Sequence, residues 1–244
     1  MCQHASGRPA GSATASLAPL AVQRSGEKRI SWTFPETGLA VFHGHPDVPR
    51  LFHYFLPRLV VQGKPVLCLD GANRFDPLLI ARFARSRASR WPPDGSAERS
   101  DAAAIFNQRL RVARAFTCFQ LTELLVRAPR WLEKFPARAI VVTALPDLYF
   151  DEDVREREAT ASFQRALEAL RALRRLPLTT AVFSDATSFQ TPRKRFFAQL
   201  LAQADHVSRF IVEEGDQLAL AREKAALVKR PMLQEGARKS TPSS

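Results

Sequence analysis

Residues Val66–Ala84 read VLCLDGANRFDPLLIARFA, and this stretch decides the fold class. Its first part belongs to the apolar run Pro65–Leu69, which has the length of a strand and no polar face. Turn residues follow, and then the helical segment Pro77–Arg85, which a proline can begin because the first N–H groups of a helix have no partner within it. A strand that is apolar on both faces and leads into a helix is typical of a parallel sheet covered on both sides.

The same alternation continues along most of the chain. Five more apolar runs of strand type are Leu39–Phe42, Leu110–Ala113, Ala139–Thr143, Thr179–Ser184 and His206–Val212. Five more helical segments are Arg50–Gln62, Ala102–Gln108, Phe119–Leu132, Arg155–Arg175 and Arg193–Gln203. Because each strand is separated from the next by a helix, the sequence predicts an α/β domain with a mostly parallel sheet and helices on both faces.

The length of 244 residues is enough for one well-buried domain with flexible ends. Residues 1–27 are rich in Ser, Ala, Gly and Pro without a lasting hydrophobic period, so they are predicted to be a disordered tail. The folded domain is expected over 28–233, with a surface loop at 86–100 where two prolines and a glycine interrupt the pattern. Residues 234–244 are predicted to be a disordered basic tail.

The formal net charge is +12, which favours a polyanionic partner, since basic side chains release the counterions condensed on nucleic acid. DNA, and a single strand in particular, is therefore an expected partner. The alternative is compositional, because Arg and Ala are used heavily throughout the chain and a surface Arg can replace Lys without a functional cost.

Three cysteines with no short spacing give neither a disulfide framework nor a zinc signature. No apolar stretch reaches the roughly 18 residues needed to cross a bilayer. We therefore expect a cytoplasmic protein without a membrane partner. His43 and His45 lie two apart, but a structural role is favoured over metal binding because no second ligand pair has a diagnostic spacing, and no metal site is predicted.

The loop after the first strand is the first place to look for phosphate binding in such a domain. Aligned with the P-loop pattern G-x-x-x-x-G-K-[ST], Gly44 falls on the first glycine, Pro49 on the second, Arg50 on the lysine and Leu51 on the hydroxyl residue. Pro49 has no N–H to offer a phosphate, and Leu51 has no oxygen for Mg²⁺. A plain proline-containing turn before a helix is the alternative interpretation.

Two segments carry a family resemblance. Val66–Ala84 and Leu110–Leu125, the latter reading LRVARAFTCFQLTELL, resemble the core of RecA-superfamily recombinases of the archaeal RadA kind, in which D-T-E-G-x-F-R-P follows one strand and V-A-R-A forms another. Asp70, Phe75 and Pro77 match the first motif. The resemblance implies a RecA-like domain of the P-loop NTPase fold over about residues 38–215.

The catalytic residues of that family are not retained. The resemblance places the water-activating glutamate on Ala72, the Mg²⁺-orienting aspartate on Thr143, and the polar sensor of the next strand near Asp185. Asp70 matches the family and stands at a strand end, although it can also be a plain turn or cap residue before Gly71. Since phosphoryl transfer depends on these groups, the nucleotide site is predicted to be degenerate, with no catalytic residue and no bound ATP or Mg²⁺.

RecA-like proteins bind DNA through the loops after the fourth and fifth core strands. The first such loop here, residues 146–153, is acidic and would repel phosphates. The second contains Phe189 and the run Arg193-Lys194-Arg195, a combination of cations and aromatic groups suited to a single strand. The alternative is that this run is only the solvated first turn of a helix.

The sequence therefore predicts a non-catalytic RecA-like protein, a pseudo-ATPase that acts in DNA recombination or repair by binding DNA or a RecA-like or other repair protein. The alternative is an enzyme with a remodelled nucleotide site that still binds or hydrolyses ATP, using Arg50 and an acidic residue such as Asp70.

Overall fold

The computed structural model describes residues 35–46, 48–61, 63–87, 107–213 and 217–224. The strands are β1 Gly38–His43, β2 Val66–Asp70, β3 Leu110–Arg114, β4 Ala139–Thr143, β5 Thr179–Phe183, β6 His206–Glu213 and β7 Gln217–Lys224. The helices are α1 Val48–Val61, α2 Pro77–Arg87, α3 Cys118–Lys134, α4 Glu156–Arg174 and α5 Arg195–Gln203. The predicted helix Ala102–Gln108 lies, up to residue 106, outside the described residues, as do both predicted tails and residues 88–100 of the predicted loop.

The strands form one seven-stranded sheet in the order β3-β2-β4-β5-β1-β6-β7. All neighbours are parallel except β6 and β7, which form an antiparallel pair. Because β5 lies between β1 and β4, this order differs from the 3-2-1-4-5-6 and 2-1-3-4-5 orders of the common doubly wound folds. The predicted α/β class with a mostly parallel sheet is confirmed.

Two apolar layers lie on opposite faces of the sheet because successive strand residues point to opposite sides. Leu67, Leu69 and Val142 belong to one layer, which the apolar faces of α3, α4 and α5 cover. Val66, Cys68 and Val141 belong to the other layer, which α1 and α2 cover. Helices therefore pack on both faces, as the sequence predicts.

Helix α4 begins with Glu156 and Glu158 and ends with Arg171 and Arg174, which places charges favourably at both ends of the helix dipole. Its buried side includes Phe163, which stacks on Phe196 of α5 with ring centroids 4.7 Å apart. Phe196 is fully buried in the apolar layer on this face of the sheet.

Two details of the predicted sheet are wrong. Strand β3 is not apolar on both faces, because it pairs only with β2 and leaves Arg111, Val112 and Arg114 exposed. Strand β7 was not predicted, and it adds an antiparallel strand beside β6. In the part of the chain that the structure describes, no helix is long and apolar enough to cross a membrane.

Candidate functional site

A cleft of about 620 Å³ lies at the carboxyl ends of four strands, β1, β2, β4 and β5. This edge of an open parallel sheet is where α/β domains bind their ligands, and the volume suits a small molecule. The lining residues are Pro46, Pro49, Arg50, Gly71, Ala72, Arg74, Ala144, Asp147, Leu148, Phe150, Asp151, Asp185 and Phe189. Five residues singled out in the sequence, Pro49, Arg50, Ala72, Asp185 and Phe189, are thus brought to one cleft.

The loop after β1 forms one side of the cleft, but its other two predicted site residues do not line it. Gly44 has a φ of +109°, and a Cβ there would lie 2.5 Å from the carbonyl oxygen of Phe210. Leu51 belongs to α1 and is buried in the apolar layer that this helix covers. The Val48 N–H already donates to the His45 carbonyl, and Pro49 has none, so the start of α1 offers few free donors to an anion.

Asp70, at the end of β2, is fully buried and its carboxylate is saturated with hydrogen bonds. Oδ1 accepts from the Arg74 N–H at 3.2 Å and from the Thr143 hydroxyl at 2.8 Å, and Oδ2 accepts from the Phe75 N–H at 2.8 Å. These are the bonds of a residue that holds the turn after its own strand. All three donors are groups of the protein, so this carboxylate holds the turn after β2 and links it to β4.

Thr143 completes this arrangement from the neighbouring strand β4. Its hydroxyl accepts a hydrogen bond of 3.0 Å from the Ala72 N–H while it donates to Asp70. The loop after β2 lies so close to β4 that a Cβ at Gly71 would be 2.6 Å from the Thr143 carbonyl oxygen. Ala72 and Thr143, which the family resemblance aligns with the base and the metal carboxylate, thus hold two loops together.

Asp147, a residue that the sequence did not single out, lies beside Asp185 in the cleft. Asp147, which is 8% exposed, accepts a hydrogen bond of 2.5 Å from the Ser184 hydroxyl and one of 3.0 Å from the Asp185 N–H. Burial raises the pKa of Asp147 well above its ordinary value of 3.8, and the neighbouring carboxyl of Asp185 raises it further through hydrogen bonding and like charge. Asp147 therefore keeps its proton to a higher pH than an ordinary aspartate does.

The backbone beside this pair is strained. Ala144, which lines the cleft directly after β4, has a φ of +57°, a region that residues with a Cβ seldom adopt. Such conformations persist only where the surrounding structure enforces them, and they are enriched at functional sites. This strain is a second reason to regard the cleft as the candidate site.

The charges of the cleft are mixed. Arg50 and Arg74 are exposed cations from the loops after β1 and β2, and they face the carboxyl groups of Asp147, Asp151 and Asp185 across the cleft. A cleft lined by three carboxyl groups and two guanidinium groups is a poor binding site for a triphosphate, which carries up to four negative charges. In the described residues, no group of three or more His, Cys, Asp and Glu side chains is placed to hold a metal ion.

The predicted cluster Arg193-Lys194-Arg195 does not form a common exposed surface. Arg193 is only 7% exposed, and its guanidinium donates to Glu156 and to the backbone carbonyls of Tyr149, Asp151 and Val154. The sequence could not show this, because all the acceptors lie about 40 residues earlier in the chain. The Arg193 guanidinium lies in the interior, so the expectation that it faces a ligand is wrong.

The other members of that loop are more accessible. Arg195 pairs with Glu156 and Thr160, whereas the side chain of Lys194 is exposed. Phe189 is 38% exposed and packs against Phe150, with ring centroids 5.5 Å apart, at the rim of the cleft. DNA binding by Phe189, Lys194 and Arg195 stays a prediction.

His43, at the end of β1, contacts residues of β7 and α5. His43 is buried, and its Nε2 lies 2.9 Å from Oε2 of Glu223 on β7, while its ring meets Phe197 edge-on.

A scan against models of known protein families finds no match for this chain, and no curated protein matches it.

Proposed function

We propose that this chain is a RecA-like domain that does not hydrolyse ATP and that acts in DNA recombination or repair by binding DNA or a RecA-like protein. The observation that carries the proposal is the hydrogen bonding of the Thr143 hydroxyl to Asp70 and to the Ala72 N–H beneath the cleft. Ala72 and Thr143, the positions aligned with a water-activating base and a metal ligand, are joined there by an internal hydrogen bond, and neither offers a carboxylate for chemistry on a nucleotide.

The sheet supports the RecA-like part of the proposal. The segments that carry the resemblance, residues 66–84 and 110–125, form β2 with α2 and β3 with α3. The P-loop-like segment runs from β1 into α1, and the strand order excludes the dinucleotide-binding and flavodoxin-like arrangements. Five of the residues aligned with the nucleotide and DNA sites line one cleft.

The lost catalysis follows from the chemistry of the lining residues. A hydrolase needs a base to activate water and a carboxylate or hydroxyl to hold Mg²⁺ near the phosphates. Ala72 supplies no base, and the oxygens of Asp70 and Thr143 are already occupied by internal hydrogen bonds. Asp151 and Asp185 add acidic groups to the lining of the cleft, which opposes a bound triphosphate.

The proposed binding role rests on the excess of basic over acidic residues in the chain. A net charge of +12 makes association with a polyanion favourable at low salt and progressively weaker as salt is added. Phe189 and Lys194 can still offer a stacking surface and a cation near the cleft. A RecA-like protein partner is the other form of the same proposal, since related subunits assemble through repeated heterologous contacts.

Release of inorganic phosphate from Mg-ATP, measured with and without single-stranded DNA, tests the non-catalytic part. We expect release at the background rate of a heat-denatured sample under both conditions. Turnover that purifies with the folded protein and is lost in Asp70→Asn would instead establish the enzyme alternative. Asp153→Asn, on an exposed loop outside the lining of the cleft, is the matched control for the loss of one carboxylate.

The second candidate function is a nucleotide-binding enzyme with a remodelled site, and it is favoured by Arg50 and Arg74 at the mouth of the cleft. In that case one of the two arginines contacts the phosphates. At least one of Arg50→Ala and Arg74→Ala should then weaken nucleotide binding at least tenfold, whereas under the first proposal neither changes anything measurable in nucleotide titrations.

A further inference from the structure

The two ends of the sheet differ in where their acidic residues lie. At the carboxyl end, the connection of residues 144–155 after β4 holds Asp147, Asp151, Glu152 and Asp153, with Arg155 as its one base. At the amino end, the described residues directly before β2, β3, β4 and β5 are 63–65, 107–109, 135–138 and 175–178, and they contain no acidic residue. Glu36 and Asp205 stand before β1 and β6, so the part of the amino end without an acid is the half formed by β3, β2, β4 and β5.

The amino end presents cations from neighbouring strands at one level. The Val66 N–H donates to the Arg109 carbonyl at 2.8 Å, the Arg138 N–H to the Pro65 carbonyl at 2.8 Å, and the Thr179 N–H to the Arg138 carbonyl at 3.3 Å. These bonds tie the starts of β3, β2, β4 and β5 into a row. With neighbouring strands about 4.8 Å apart, the row is about 14 Å long.

Five cations define this surface, which we call the basic edge: Lys64, Arg111, Lys134, Arg138 and Arg175. Four of them, all except the half-buried Lys64, are exposed. Within the described ranges, none of the five forms an ion pair, in contrast to Arg174, whose guanidinium is paired with Asp205. Glu133, in the last turn of α3, is the nearest acid in sequence to Lys134.

Arg111 is held in place for such a role. Its guanidinium lies 5.1 Å from the ring centroid of Phe135, which fixes the side chain by a cation–π contact and directs it toward the end of α3. It also donates to the backbone carbonyl of Leu110 at 3.2 Å. A guanidinium that is already ordered loses less conformational entropy when it binds a phosphate.

We infer that the basic edge binds the phosphate backbone of nucleic acid, at the end of the sheet opposite the cleft. The inference rests on the proposed DNA-binding function and assigns it a surface other than the loop of Phe189 and Lys194. A row of about 14 Å spans about four phosphates of one strand of a duplex, counted at about 3.4 Å of helix axis each. The carboxyl end is less suited, because the exposed cations there stand beside an acidic connection and the Arg193 guanidinium is buried.

Fluorescence anisotropy of a labelled single strand and of a duplex of the same sequence, titrated over a range of salt, tests the inference. Lys64→Glu/Arg138→Glu should weaken binding at least tenfold at low salt and reduce the slope of log K against log salt by about two phosphate contacts. The matched control, Arg155→Glu/Arg157→Glu, makes the same change in net charge on exposed residues at the carboxyl end, and it should retain most of the affinity. Thermal unfolding checks that both variants are folded.

The possible results separate the inference from the proposed function. If Lys194→Glu or the control double variant weakens binding as much as the basic-edge variant, the inference is overturned while DNA binding stands. If the wild-type protein binds neither nucleic acid, both the inference and the DNA form of the proposed function are wrong. Binding to anionic lipid vesicles alone, or salt-sensitive self-association alone, would also overturn the inference.

Discussion

The Thr143 hydroxyl donates a hydrogen bond of 2.8 Å to Oδ1 of Asp70, and this bond joins the ends of β4 and β2 beneath the cleft. The same hydroxyl accepts from the Ala72 N–H, so Ala72 and Thr143, the two positions that the family resemblance aligns with a catalytic base and a metal ligand, belong to one internal network with Asp70. In this chain the network stabilises the loops that shape the cleft.

Replacing Thr143 with Val should destabilise the protein by about 1–3 kcal/mol, because it leaves the Ala72 N–H without its acceptor and removes one of the donors to Asp70. Thr180 is the matched control. It is equally buried on the neighbouring strand β5, but its hydroxyl has no hydrogen-bond partner among the described residues. Thr180→Val should therefore be neutral or stabilising. Chemical denaturation of both variants measures the difference, and equal losses would contradict a special role for the Thr143 hydroxyl.

Arg193→Ala should lower the free energy of unfolding by roughly 2–4 kcal/mol, because it leaves the carbonyls of Tyr149, Asp151 and Val154 without their donor. The neighbouring Lys194→Ala removes an exposed cation whose side chain forms no hydrogen bond or ion pair among the described residues, and it should change stability by no more than about 0.5 kcal/mol. Urea denaturation distinguishes the two variants. Arg193→Ala with wild-type stability would show that the guanidinium is free for another role.

The stability of the protein should fall as pH rises through the titration of Asp147. Because its pKa is raised in the folded state, the folded protein binds more protons than the unfolded chain between pH 3.8 and that raised pKa, and deprotonation in this window favours unfolding. Asp147→Asn removes this component, so the variant should show a flatter pH profile above pH 3.8, measured by chemical denaturation at several pH values.

The control for that profile is Asp153→Asn, which changes an exposed aspartate of the same connection. It should follow the wild-type pH dependence. A flattening of similar size in Asp153→Asn would mean that the net charge of the loop, and not the burial of Asp147, sets the pH dependence.

Gly44→Ala should cost more than about 2 kcal/mol, since it places a Cβ 2.5 Å from a backbone oxygen on β6 at a φ of +109°. Gly63 also has a positive φ, of +77°, but a Cβ there meets only the end of the Arg109 side chain at 3.3 Å. Gly63→Ala should therefore cost about 1 kcal/mol, the usual cost of the left-handed region. Equal melting temperatures for the two variants would contradict a steric need at Gly44.

Much of the sheet could be predicted from the sequence because β1, β2, β4 and β5 are central and buried on both faces, which requires continuous apolar runs. Strand β7 reads QLALAREK and ends in three charged residues, as expected of an edge strand. Its hydrophobic pattern is therefore too short to distinguish a strand from the end of a helix. The place of the cleft could also be predicted, since it depends only on where parallel strands end.

The chemistry of the cleft was harder to predict. Asp147 was visible only as part of an acidic loop, because its burial beside Ser184 depends on the pairing of β4 with β5. The buried state of Arg193 depends on α4, about 40 residues away along the chain. Long-range contacts of this kind leave no local signal, and a run of basic residues looks the same whether its members face solvent or the interior.

Thermal unfolding in millimolar Mg-ATP tests the loss of the nucleotide site most directly. A ligand present at about a hundred times its dissociation constant stabilises a folded protein by about 2.7 kcal/mol. We expect the melting temperature to be the same with Mg-ATP, with Mg²⁺ alone and with neither. A saturable rise with Mg-ATP that Arg50→Ala or Arg74→Ala abolishes would contradict the proposal, because it would show that the cleft still binds nucleotide.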